Sequence, residues 1–216
     1  MKIATFNING IKARLPALTD WLVEAQPDVA LLQEIKSTDE TFPRTHFEDL
    51  GYQVETPGQK SFNGVAILSK LPLEDISRGL PGDDEDVQAR WIEATVVGKQ
   101  AVRLCGLYLP NGNPCPGPKY DYKLAWMERL YTRAKDLIVD EMPALMAGDY
   151  NIIPQIEDAV GDDTLALVFR HLSPLAIEDE TTLKAFAKDY QLQLYLQPGN
   201  ESTTHCIWPE ITPKPL

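Results

Sequence analysis

The chain has 216 residues, 44% hydrophobic and 24% charged, which suits one sizeable core in a globular protein. No apolar run is long enough to span a bilayer, and the opening MKIATFNING turns polar too soon for a secretory leader, so no membrane role and a cytoplasmic location are expected. A net charge of −12, with 16 basic and 24 acidic residues through Ala159 and 4 and 8 beyond it, excludes a broad basic footprint in either part.

Lys2 to Asn7 reads as a short strand, and Leu15 to Ala25 as an amphipathic helix with Leu18, Trp21, Leu22 and Ala25 at helical spacing. Val29 to Gln33 is almost wholly apolar, as a strand covered on both faces would be. Strands are expected over Tyr52 to Thr56 and Gly64 to Ser69, followed by an acidic Gly/Pro loop, Gly79 to Asp86. Trp91 to Val97 and Ala101 to Leu109, joined by Gly98 and Lys99, read as a hairpin. After the loop Asn111 to Pro118, helical periodicity runs from Tyr122 to Val139, and an apolar strand from Pro143 leads to Gly148 and Asp149.

This order gives an α/β layered protein with a mixed sheet. Past Ala159 the texture changes. Leu165 to Leu172 is expected as a strand, Ser173 and Pro174 open a helix, and Gln191 to Gln197 is a further strand. The chain is therefore divided into 1–159 and a small strand–helix–strand unit, 160–216.

The candidate chemistry sits at strand ends. Glu34 follows one apolar strand, Asn7 ends another, and Asp149 and Asn151 follow a third. Hard oxygen donors of this kind suit a divalent cation and a phosphate. Glu34 reads as a metal ligand or as an exposed acid just past its strand. On an extended chain, positions i and i+2 share a face, so Asp149 and Asn151 can address one phosphate; an Asx turn explains the same residues. Tyr108 is a phosphate donor or a core tyrosine. Lys12, Arg14, Lys119 and Lys123 form local cationic clusters or are ordinary solvated charges. Cys105, Cys115 and Cys206 are odd in number and widely spaced, as reduced structural thiols would be.

TFNINGIKAR at 5–14, LLQEIK at 31–36, NGVAILS at 63–69, RWIEA at 90–94, GLYLPNG at 106–112 and GDYNI at 148–152 together resemble the exonuclease III branch of the endonuclease/exonuclease/phosphatase superfamily. One departure is Ile35, where a threonine is common. The resemblance implies an incomplete four-layer α/β-sandwich over 1–159. It implies that Glu34 ligates Mg²⁺, or Mn²⁺ in its place, with Asn7 close to the metal. Asp149 would activate or orient water, Asn151 would position it or the scissile phosphate, Tyr108 would contact phosphate, and Asn111 would shape the rim. The implied reaction is hydrolysis of a DNA phosphodiester, with duplex DNA bearing an abasic site or a 3′ end as partner.

The family pattern closes with an Asp-His pair, and this sequence contains no such dipeptide; its histidines are His46, in an early loop, His171 and His205. The segments LALVFRHLSPL, LKAFAKDY and LQLYLQPG, from 165 to 199, resemble part of the bacterial rRNA uracil-C5 methyltransferases, without their cofactor loop or catalytic cysteine. The expectation is a join near 158–163, with a divergent nuclease C-terminus as the other reading of this segment, and a nuclease of impaired turnover. The alternative is an inactive truncated module that binds a metal or a partner.

Overall fold

The computed structural model describes residues 1–140 and 142–152. Two compact units divide the chain, Met1–Tyr150 and Asn151–Leu216, and the architecture below is that of the first. The strands and helix expected over 165–197, with His171, His205 and Cys206, lie outside the described residues.

In chain order the elements are β1 (Ile3–Asn7), α1 (Ile11–Ala25), β2 (Val29–Gln33), α2 (Arg44–Glu48), β3 (Gln53–Glu55), β4 (Val65–Ser69), β5 (Leu73–Arg78), β6 (Trp91–Val96), β7 (Val102–Tyr108), α3 (Pro118–Val139) and β8 (Ala144–Asp149). They build two four-stranded sheets, β1-β2-β4-β3 and β5-β6-β7-β8. Each sheet is mixed: β1–β2 and β7–β8 pair in parallel, and the remaining pairs are antiparallel.

Period-two alternation sorts the side chains of β2 between two layers. Ala30 and Leu32 join Ile11, Leu18 and Leu22 of α1, Phe47 of α2 and Leu68 of β4 in one apolar cluster. Leu31 points the other way, toward β7: a Cβ added at Gly106 would lie 3.5 Å from it and 3.3 Å from Ile92. Beyond the second sheet, Trp91 meets Trp126 of α3 edge-on at 6.4 Å. The layers are thus α1 and α2, the first sheet, the second sheet, then α3. β2, β4 and β6 are buried along their whole length, which is why β2 and β4 read as nearly continuous apolar runs, while β6 carries Glu93 and Thr95 buried among its apolar residues.

Several expectations are corrected. α1 begins at Ile11 rather than Leu15 and runs through Pro16. Its first turn has no side-chain cap; tertiary contacts fix it instead, since Ile11 is fully buried and its N–H donates to the Ile35 carbonyl at 3.0 Å. Lys12 and Arg14 are therefore helical. α3 begins at Pro118 rather than Tyr122, with the proline in its first turn, so Lys119 and Lys123 are helical as well. His46 lies in α2, with Nε2 2.7 Å from Thr19 Oγ1 of α1, rather than in a loop. Cys105 is buried and Cys115 partly so, both as free thiols.

Candidate active site at the strand ends

Parallel pairing brings the C-terminal ends of β1 and β2 to one rim, and those of β7 and β8 to another. Asn7 pairs with Gln33, and Tyr108 with Asp149. Side chains join the two rims. The Asn7 amide nitrogen donates to Glu34 Oε1 at 3.0 Å and to Asp149 Oδ2 at 2.7 Å. The Tyr108 hydroxyl donates to the same Glu34 Oε1 at 2.7 Å. Four expected residues from four strand ends thus form one hydrogen-bonded set.

Local backbone geometry aims Glu34. It has φ of 52°, and Lys36 φ of 50°, a left-handed conformation uncommon outside glycine and asparagine. Contacts on both sides hold the segment in it. The Gly10 N–H donates to the Glu34 carbonyl at 2.8 Å, and the Ile35 and Lys36 N–H groups donate to the carbonyls of Gly64 and Asn63, each at 3.1 Å. Gly64 is required at this crossing, because a Cβ there would lie 2.5 Å from Ile35 Cγ1.

The electrostatics follow from these contacts. Burial alone would raise the Glu34 carboxyl, but hydrogen bonds from Asn7, Lys36 and Tyr108 and the Lys36 charge outweigh it and hold Glu34 below the ordinary carboxylate range. Lys36 Nζ lies 2.9 Å from Glu34 Oε2. Burial, then the hydrogen bond to Glu34 and its charge, push the Tyr108 phenol upward, so it stays protonated and donates. Burial pulls the Lys123 ammonium down, partly offset by the charge of Asp149. Its Nζ donates to the Asn111 carbonyl at 3.2 Å.

Asn111 is exposed at the start of its loop, with Oδ1 accepting the Asn113 N–H at 3.1 Å. Asn151 lies two residues past β8 with φ of 46°, so the extended-chain argument that put it on the same side as Asp149 does not describe this segment. Lys36 and Arg90 were not singled out from the sequence. Lys36 stands two positions from Glu34, a signal readable in hindsight; Arg90 acquires its contacts with Tyr108 only through the fold.

Among the described residues, no three His, Cys, Asp or Glu side chains converge on a point. The set instead offers carboxylate oxygens from Glu34 and Asp149, with the Glu34 side chain 20% exposed, and beside them the Asn7 amide, whose oxygen also accepts the Asn9 N–H at 3.1 Å. That donor chemistry fits Mg²⁺, which uses one or two carboxylates and keeps waters.

A sequence model of the Endonuclease/Exonuclease/phosphatase family matches residues 4–210. The chain belongs to this family. It is 37% identical over 169 residues to exodeoxyribonuclease III of Haemophilus influenzae, covering 76% of this chain and 62% of that relative. The chain thus spans less than two thirds of that relative's length. The structure of an AP endonuclease from Archaeoglobus fulgidus is similar with a TM-score of 0.74 at 30% identity, over 96% of this chain and 86% of that one. A 3′ phosphatase, NExo, from Neisseria, bound to product DNA hairpin, is similar with a TM-score of 0.75 at 26% identity, over 97% and 86% of the two chains. A separate similarity, 50% over 74 residues, is to the 23S rRNA (uracil(1939)-C(5))-methyltransferase RlmD of Alcanivorax borkumensis, covering 33% of this chain and 17% of that enzyme. Family membership and the two mixed sheets agree with the expectation from sequence.

Proposed function

We propose that this chain is a divalent-metal-dependent DNA phosphodiester hydrolase of the exonuclease III and AP endonuclease type, with reduced turnover in its 216-residue form. The observation that carries the reading is the Asn7 amide joined to both Glu34 and Asp149. It assembles a metal-binding carboxylate and a water-activating one at one rim. The exodeoxyribonuclease III similarity and the DNA-bound structural relative support DNA as substrate.

Glu34, with Asn7 beside it, would hold Mg²⁺ or Mn²⁺, which when bound supplies positive charge to a developing phosphorane. Asp149 accepts a proton from, or orients, the attacking water. Tyr108, kept neutral, is the hydrogen-bond donor at the rim. Asn151, carried over from the family motif, positions the water or a phosphate oxygen. Abasic sites and 3′ ends are the proposed targets, and the cytoplasm the proposed location. The proposed join lies near 158–163, between a nuclease part, 1–159, and a methyltransferase-like part, 160–216; the RlmD similarity supports it.

Reduced turnover follows from the missing Asp-His pair, because loss of one preorganised transition-state contact costs roughly 10²–10³-fold. The test is cleavage of abasic duplex DNA in Mg²⁺ beside an intact family member. Weak cleavage abolished by EDTA and by Glu34→Ala is expected. Turnover equal to the intact enzyme refutes impairment, and cleavage indifferent to EDTA refutes the metal reading.

A further inference from the structure

We propose that Arg90, held by Gln88, is a positioning residue that fixes Tyr108 against Glu34; the inference rests on the nuclease reading above. The guanidinium carbon of Arg90 lies 4.9 Å from the centroid of the Tyr108 ring. Its Nη1 donates to the Tyr108 carbonyl at 3.2 Å, and the Tyr108 N–H donates to the Arg90 carbonyl at 2.8 Å. One residue therefore holds the ring face, the main-chain oxygen and the main-chain nitrogen of Tyr108. A cation over an aromatic face in a half-buried setting is a favourable contact that a lysine reproduces only in charge.

Arg90 is itself held from behind. Its Nε donates to Gln88 Oε1 at 2.8 Å, and that oxygen also accepts the Asn63 side-chain amide at 3.2 Å. Asn63 is buried, 7% exposed, with φ of 57°. Its carbonyl receives the Lys36 N–H at 3.1 Å. The contacts close a circuit from the Glu34–Lys36 segment through Asn63, Gln88, Arg90 and Tyr108 back to Glu34 Oε1. A displacement anywhere in it moves the phenol relative to the carboxylate. The circuit gives the chain a means of holding two rim residues, 74 positions apart, at one separation.

The full chain carrying Arg90→Met, Arg90→Lys, Tyr108→Phe or the Arg90→Met/Tyr108→Phe pair tests this. Arg90→Met should lower kcat on abasic duplex DNA by about 10–100-fold, the usual effect of losing an outer partner, with KM changed less than about twofold. Arg90→Lys should restore part of it. In the Tyr108→Phe background Arg90→Met should add little, because its effect passes through the hydroxyl. An equal loss in both backgrounds, or a raised KM with a shallower salt dependence, makes Arg90 a direct phosphate contact and overturns the proposal. A second readout needs no turnover. With fluorotyrosine incorporated, the Tyr108 fluorine resonance, assigned by its loss in Tyr108→Phe, should move in Arg90→Met and in Gln88→Ala. An unmoved resonance in folded variants overturns the positioning role. A moved resonance in a chain that cleaves nothing upholds the positioning role while the nuclease reading fails.

Discussion

Asn7 and Asp149, 142 positions apart, are joined by a 2.7 Å hydrogen bond from amide to carboxylate, and the same nitrogen reaches Glu34 at 3.0 Å. One neutral donor thus stands between two acids from different sheets. Asn7→Ala should leave both without it and destabilise the chain by about 2 kcal/mol, as for a lost hydrogen bond to a charged group. Mg²⁺ should then raise the melting temperature of the variant less than that of the parent, because one of the groups that would hold the cation is gone. Thermal melts with Mg²⁺ and with EDTA check this; equal shifts in both proteins count against a metal at this rim.

The pH response of the rim follows from Glu34. Its carboxyl is held below the ordinary range because hydrogen bonds from Asn7, Lys36 and Tyr108 and the Lys36 charge outweigh burial. The ionised form should persist through mildly acidic pH. Mg²⁺-dependent stabilisation should therefore survive titration through the usual glutamate range and vanish only below it. Tyr108→Phe removes one of the contacts that lower Glu34, so the loss should move to higher pH. An unchanged midpoint between parent and Tyr108→Phe refutes the coupling.

Much of this site was legible because polar residues ending apolar strands are conspicuous. Asn7, Glu34, Tyr108 and Asp149 each close or follow a strand the sequence marks by its apolar run, and the structure brings all four together. The pairing of Asp149 with Asn151 on one face assumes an extended chain, whereas the backbone turns left-handed at Asn151. β5 (Leu73–Arg78) was missed because it is an edge strand with half its residues exposed and a bulge between Glu74 and Ser77, so its polarity alternates poorly. α2 has five residues, too few to repeat a helical period. The circuit through Asn63, Gln88 and Arg90 has no local signature, because each contact crosses between segments or depends on a backbone turn.

Gly148 stands where β8 passes β7 at the edge of the site. A Cβ there would lie 1.9 Å from the Leu107 carbonyl oxygen, far inside van der Waals contact. Because Leu107 and Gly148 are register partners in the parallel ladder, neither backbone can retreat without breaking the pairing that brings Asp149 beside Tyr108. Gly148→Ala should cost roughly 3 kcal/mol or more and abolish metal-dependent stabilisation even where the chain still folds. Urea denaturation checks the first and Mg²⁺-dependent melting the second; a variant as stable as the parent contradicts this strand contact.

Glu93 provides the strongest pH test of the fold itself. It is 3% exposed on β6, and its carboxylate meets Arg103 at 2.8 Å and Arg133 of α3 at 3.1 Å. Burial would raise the carboxyl, but the hydrogen bonds and charges of the two arginines lower it overall. A carboxyl lowered in the folded state contributes stability that is fully present above its unfolded value of about 4.5 and is lost as pH falls toward the folded one. Glu93→Gln leaves Arg103 and Arg133 without their shared anion, which for a buried pair costs about 3–5 kcal/mol at neutral pH. The difference between parent and variant should shrink as the medium is acidified, because protonation neutralises the same charge in the parent. Urea midpoints measured from pH 7 down to pH 3 check both parts. A difference that stays constant over that span places the stabilisation in packing rather than in charge.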